Sequence, residues 1–508
     1  MGVIINQSIK SSFSYYLGMI IGALNTLILY PLVFSDNPEY LGLIQIILAY
    51  SILFSSFINL GLPSIIIRFF PSINKKGQLF FFSTILSIIG FCFFSLFYYF
   101  FLEEVVYSAL SQEQYSILVD EYTYYIIPLV IFISFSDVLS AVSRSYLDSS
   151  TPIFLNEVFL KAYSVIVLLL FWFGYMQVSM FISVYFIGYF VRFLILLVIQ
   201  LYNRRLYFES KTRDLQLNKM IKFGVYVIFG STSGLLISKI DMLMLAHYID
   251  LEHVAYYTVA FYIGNAILVP ARSINAISAP LLANAWKNDN IKLIERIYYQ
   301  SSINQLILGG IFLLCIWINI DNIMSILNSI SPKFAGGKYV VLFIALAKLV
   351  SLISGVNSSI IINSRYYRFD LFSNIPFLIF IVTTNAILIP SDWYIMSVPI
   401  SGINGAAFAT LISTFLFICI KIAFVYLKFN IQPFSIDTVK TVFLLLVVYL
   451  VISSVNININ SYVNIILNSL IVLLVFIPLI YVLRISEHIN SLILINIKRI
   501  RLFLSNIA

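Results

Sequence analysis

The chain has 508 residues, of which 61% are hydrophobic and 10% charged, and its mean hydropathy is +0.99. That is more apolar surface than one water-soluble core can hide, which excludes a soluble globular protein and points to an integral membrane protein. The formal net charge of +8 is spread over many short loops rather than gathered into one stripe, so a nucleic-acid partner is not expected.

A membrane-crossing helix needs roughly 20 mainly apolar residues to traverse about 30 Å of hydrocarbon. The sequence matches this template at Ser11 to Val33, Leu41 to Ile67, Gln78 to Phe101, Thr123 to Tyr146, Ile153 to Phe173, Val178 to Tyr202 and Met220 to Ala246. It matches again at Val254 to Ile277, Ser302 to Ile320, Tyr339 to Ile362, Leu371 to Pro390, Gly402 to Tyr426, Val439 to Val455 and Tyr462 to Leu483. These are spans one to fourteen. The first run is too long for a signal-peptide core and lacks a small-residue cleavage pattern, so it is expected to stay as a span. Cys92, Cys315 and Cys419 all fall inside spans and show neither a disulfide framework nor metal-ligand spacing. No metal and no cofactor is expected.

Lysine and arginine set the orientation, because cytoplasmic loops retain positive charge. Of the 30 basic residues, only Lys333 and Lys338 fall on one side, and Lys161, Arg192, Lys239 and Lys348 lie within spans. The rest fall on the opposite side. An even number of spans with both termini cytoplasmic follows, since one missed span would scramble the alternation downstream.

Sliding the chain against itself brings NPEYLGLIQIILAYSILFSSFINLGLPSIIIRFF, from Asn37, onto DLEHVAYYTVAFYIGNAILVPARSINAISAPLLA, from Asp250. A nearby shift lays SRSYLDSSTPIFLNEV, from Ser143, on IINSRYYRFDLFSNIP, from Ile361. Both keep the spans in phase. The division expected is a first six-span half over residues 1–210, a second over 211–430, and two further spans with a basic tail over 431–508. Repeats of six spans share orientation, so an axis along the membrane normal relates them around a central cavity. The fold class expected is therefore an all-α membrane protein of about fourteen helices.

The stretch ISKIDMLMLAHYIDLEHVAYYTVAFYIGNAILVPARSINAISAPLLANAW, from Ile237, resembles spans seven and eight of bacterial polysaccharide exporters of the multidrug/oligosaccharidyl-lipid/polysaccharide superfamily. Residues 38–71 are similar to their second span, and GINGAAFATLIS, from Gly402, to the start of their twelfth. The resemblance covers about residues 10–430. It implies a Wzx-like flippase of undecaprenyl-pyrophosphate-linked oligosaccharides in the bacterial inner membrane, serving O-antigen, lipopolysaccharide, capsule or exopolysaccharide synthesis. The partners it implies are the lipid-linked oligosaccharide, membrane lipids and polysaccharide polymerase machinery.

Such a substrate has a doubly phosphorylated, polar head, which needs a wet, positively charged path, while its tail stays in lipid. A charge within a span costs about 2.5–3.5 kcal/mol on insertion scales, so intramembrane cations face cavities or partners. Lys239, Lys348, Arg272 and Arg192 are the expected head-group ligands; Lys239 and Arg192 are equally open to snorkelling toward the surface. Lys161 follows Glu157 at the spacing of an intrahelical ion pair. Asp241 is a candidate partner for a basic residue on another helix, and Asp137 a coupling-ion site or a partner for Arg144. His247 and His253 flank an outer loop and read as solvated residues.

Competing readings are a cation-coupled drug exporter, a lipid II flippase and a membrane glycosyltransferase or polymerase. The first span carries no acid, only Asn25 at mid-helix, which weighs against an antiporter. The outer loop over residues 102–122 has no basic residue and no histidine, and its Glu103 and Glu104 read as a solvated face. No nucleotide-binding glycine loop appears. The protein is therefore not expected to be an enzyme.

Overall fold

The computed structural model of the protein describes residues 2–73, 76–102, 116–207, 209, 216–395, 397–454, 460–486 and 490. Glu103 and Glu104, and the basic residues Lys75, Lys211, Arg213, Lys498, Arg499 and Arg501, lie outside the described residues. Among the described residues, 13 single helices are long and apolar enough to cross a membrane, and a bent pair makes up to 14. Among the described residues the fold is all-α apart from a two-stranded antiparallel pairing between spans eleven and twelve, of Tyr394 with Pro399 and Ile395 with Val398.

Helix ends differ from the sequence expectation where polar turns continue an apolar run. Span nine is expected from Ser302 but begins at Ile291, because the Asn290 side chain accepts from Leu293 N–H and caps it. Its first turns carry the charged residues Lys292, Glu295 and Arg296. Span thirteen, the shortest, is Ile436–Ser453 and opens on a capping box in which Ser435 and Thr438 exchange side-chain and backbone hydrogen bonds. Span eight is Leu251–Arg272, and Asp250 just ahead of it accepts from both the backbone N–H and the ring Nδ1 of His253, each at 2.7 Å. Burial alone would raise the Asp250 pKa, but these His253 hydrogen bonds outweigh it and hold the carboxyl below its ordinary value. His253 is thus a partner in a capped helix start rather than a solvated loop residue.

The chain forms two compact units, Met1–Val259 with Arg368–Ala409, and Ala260–Tyr367 with Thr410–Ala508. In the first unit, span two, Glu39–Ile58, is the buried axis, with Leu41, Leu43, Ile46 and Ile47 fully enclosed. Gly42 permits this: a Cβ there would lie 1.9 Å from the carbonyl oxygen of Leu251, so only glycine allows the two backbones to touch. In the second unit, spans nine, thirteen and fourteen share an apolar seam of Leu306, Ile307, Leu444, Val448, Val472 and Phe476. Outward faces remain apolar: Phe93 is 71%, Phe443 67% and Leu474 72% exposed, the surface that acyl chains cover.

Span ten is broken. Its segments Lys338–Ile353 and Asn357–Asn363 meet at 48°. Gly355 sits at φ +54°, in the left-handed region that ends a helix, and a Cβ there would lie 2.7 Å from Ser301 Oγ. Hydroxyls of span nine satisfy the freed backbone: Val356 N–H donates to Ser301 Oγ, and Ser302 Oγ donates to the Ile353 carbonyl. Irregular backbone at membrane depth survives only with such partners.

Candidate functional site

Each unit holds charged and polar side chains within its spans. In the first, spans one and five, which contain the π-helical turns Leu24–Leu29 and Leu155–Phe159, are joined by polar side chains. The Asn25 amide donates to the Lys161 carbonyl at 3.0 Å and to Ser164 Oγ at 2.7 Å. Lys161 Nζ pairs with Glu157 at 3.0 Å and donates to the Gly18 carbonyl at 3.1 Å. These polar groups hold helix to helix.

Arg192, in span six, is buried and lies 3.8 Å from Asp137 of span four, whose side chain is 41% exposed. Asp137 therefore has Arg192 beside it while part of its own side chain stays exposed. Part of the Arg192 charge is already matched there, which weakens Arg192 as an anion ligand relative to an unmatched cation.

Asp241 and Lys239, both on span seven, point in different directions, as residues two apart on a helix must. Asp241 is 6% exposed and accepts from Tyr257 Oη at 2.6 Å and from Asn385 Nδ2 at 2.9 Å. Spans seven, eight and eleven converge on this carboxyl. Lys239 is half-buried and makes no hydrogen bond or ion pair among the described residues. The carboxyl thus has partners of its own and leaves the ammonium two residues away open to a ligand.

In the second unit the polar groups gather around the break in span ten. Asn357 Nδ2 donates to Tyr298 Oη at 2.6 Å, and Gln305 Nε2 to Asn275 Oδ1 at 2.8 Å. Lys348 lies 5.3 Å from the centre of the Phe261 ring, a cation–π contact. Arg272 is exposed and ends span eight, four residues past the 3₁₀ turn Ala266–Leu268. That turn precedes Pro270, whose ring would clash with the Ala266 carbonyl in a regular α-helix.

Sequence reasoning missed Lys421. Counted with the basic loops, it instead sits inside span twelve, is 4% exposed, donates to Ser358 Oγ at 2.9 Å and lies 4.4 Å from the Phe417 ring centre. The apolar neighbours in FICIKIAFVY were the signal for it. Thus Arg192 and Lys239 belong to the first unit, and Arg272, Lys348 and Lys421 to the second. Among the described residues, no group of three or more His, Cys, Asp or Glu side chains suits a metal.

Solved structures share this fold. The lipid II flippase MurJ, in an inward closed conformation, matches with a TM-score of 0.72 at 14% identity, over 93% of this chain and 97% of that one. An inward-facing multidrug resistance MATE family transporter of the MOP superfamily matches at 0.63 and 14% identity, over 82% and 98% of the two chains. A MOP superfamily transporter from Pyrococcus furiosus matches at 0.59 and 16% identity, over 84% and 95%. No curated protein matches this chain by sequence. The family model for polysaccharide biosynthesis proteins matches residues 8–286, more than half of the chain. A multi-pass membrane protein with the MurJ- and MATE-like all-α transporter fold, the chain belongs to the polysaccharide biosynthesis protein family.

Proposed function

We propose that the protein is a flippase that moves undecaprenyl-pyrophosphate-linked oligosaccharide repeat units across the bacterial inner membrane, for lipopolysaccharide, capsule or exopolysaccharide synthesis. The observation that carries this reading is the set of cations inside the spans, Lys239, Lys348 and Lys421, the last beside a broken helix. Discontinuous helices that free backbone groups, together with buried positive charge, suit a phosphorylated head in transit. Membership of a polysaccharide biosynthesis family supports this substrate class.

Within the first unit, Lys239 is the head-group ligand and Arg192 acts through Asp137, the candidate coupling site; within the second, Lys348 and Arg272 are the head-group ligands, with Lys421 and Ser358 beside them. The two six-span repeats, over residues 1–210 and 211–430, give a path that opens alternately to each side of the membrane, both termini stay cytoplasmic, and the isoprenoid tail remains in lipid. The polymerase machinery receives the unit on the outer side. Coupling through span one is disfavoured because Asn25, its mid-helix polar residue, is committed to Lys161 and Ser164. Lipid II, a polyprenyl-pyrophosphate sugar like the proposed substrate, is the second reading, and the 93% coverage by the lipid II flippase fold favours it over drug export.

Deleting the gene is expected to abolish surface polysaccharide and to accumulate complete lipid-linked repeat units. Mass spectrometry of extracted carrier lipid checks this. Truncated sugars on the carrier would mean a transferase instead.

A further inference from the structure

The ends of spans nine, thirteen and fourteen that carry Arg296, Asp437 and Arg484 enclose a polar cavity of about 330 Å³ within the second unit, also lined by Tyr299, Gln300 and Ser486. Asp437, the carboxylate among the described lining residues, is already matched: its Oδ2 accepts from Tyr299 Oη at 2.8 Å, and its Oδ1 from Lys440 Nζ at 2.9 Å. Arg296 and Arg484 are both exposed, and their guanidinium groups make no hydrogen bond or ion pair among the described residues. The Arg484 backbone sits at φ +51°, with its N–H donating to the Tyr481 carbonyl. The cavity therefore presents two forked cations and an amide, with its acid neutralised.

Two guanidinium forks with no hydrogen-bond or ion-pair partner among the described residues suit a phosphate, which such a fork binds bidentately. Its source follows from the rim. Ile436 is 67%, Val439 63% and Val482 71% exposed, an apolar flank on the same helix ends where acyl chains lie. We propose that this cavity holds the phosphate of an anionic phospholipid from the leaflet on the basic side, tying the last two spans to span nine. This lipid is distinct from the transported substrate, and basic pockets between spans on the cytoplasmic side are suited to such heads.

Binding to the purified full-length protein in neutral detergent tests the inference, by native mass spectrometry with phosphatidylglycerol, phosphatidylcholine or inorganic phosphate. Phosphatidylglycerol is expected to bind the wild-type protein and an Arg204→Gln control alike. Binding should weaken roughly fivefold in Arg296→Gln or in Arg484→Gln, and about 20-fold in the double variant. Phosphatidylcholine keeps the phosphate but adds a cation that the two arginines repel, so it should bind more weakly throughout and lose less affinity in each variant than phosphatidylglycerol does. Unchanged phosphatidylglycerol binding by the double variant would overturn the inference. So would inorganic phosphate competing as tightly as the lipid, which would make the site one for the free anion. The single variants remove one exposed side chain each, so they report even if the double variant fails to fold. Because the readout is binding, the flippase reading stands or falls separately.

Discussion

Asp241→Ala is expected to lower the stability of the folded protein by about 2–3 kcal/mol and its membrane abundance several-fold. Two donors lose their acceptor at once: Tyr257 Oη and Asn385 Nδ2, on residues that are both 0% exposed. A buried donor left unpaired costs about 1–3 kcal/mol. Interhelical hydrogen bonds in membranes average only about 0.6 kcal/mol, because separated helices find other partners, so the sum is placed toward the lower end. Asp241→Asn keeps one acceptor oxygen and should fall between wild type and alanine. Thermal unfolding of purified protein in detergent, alongside quantitative blotting of membranes, checks both values.

Lys239→Ala is the contrasting case, because abundance should stay near wild type while export falls roughly tenfold or more. Lys239 makes no hydrogen bond or ion pair among the described residues, so its removal orphans nothing in the folded protein. A charge-assisted hydrogen bond to a phosphate oxygen is worth about 1.5–3 kcal/mol, which is about 10- to 150-fold in affinity. Lys239→Arg should retain part of the activity, because it keeps the charge but replaces a compact ammonium with a planar fork. The assay is surface polysaccharide normalised to the amount of protein in the membrane. Export by Lys239→Ala at the wild-type level would mean that the lysine only snorkels.

The membrane class and the number of crossings were legible in the sequence because both rest on local apolar runs of fixed length. The break in span ten was not legible, since its stability depends on Ser301 and Ser302 reaching across from span nine. The extra turns of span nine were hidden because hydropathy stops at the edge of the hydrocarbon, while helix formation stops at the Asn290 cap.

At the candidate site, the sequence marked Lys239, Lys348, Arg192 and Asp241 by their cost inside apolar runs. It could not name the partners of Asp241, which lie 16 and 144 residues away, because no local pattern encodes such contacts. The Lys161–Glu157 pair is local and was visible at its i, i+4 spacing. Lys421 was overlooked because counting positive charges sorts residues by the nearest loop, whereas burial is set by the helices packed around it.

Transport itself is tested most directly with purified protein reconstituted into sealed vesicles loaded in both leaflets with a polyprenyl-pyrophosphate oligosaccharide. A glycosidase that cannot cross the membrane is then added outside. The account predicts that vesicles with the wild-type protein lose nearly all of the oligosaccharide to the enzyme. Protein-free vesicles, and those with Lys239→Ala over the same interval, should retain the inner half. Equal protection in vesicles with and without the wild-type protein would contradict it.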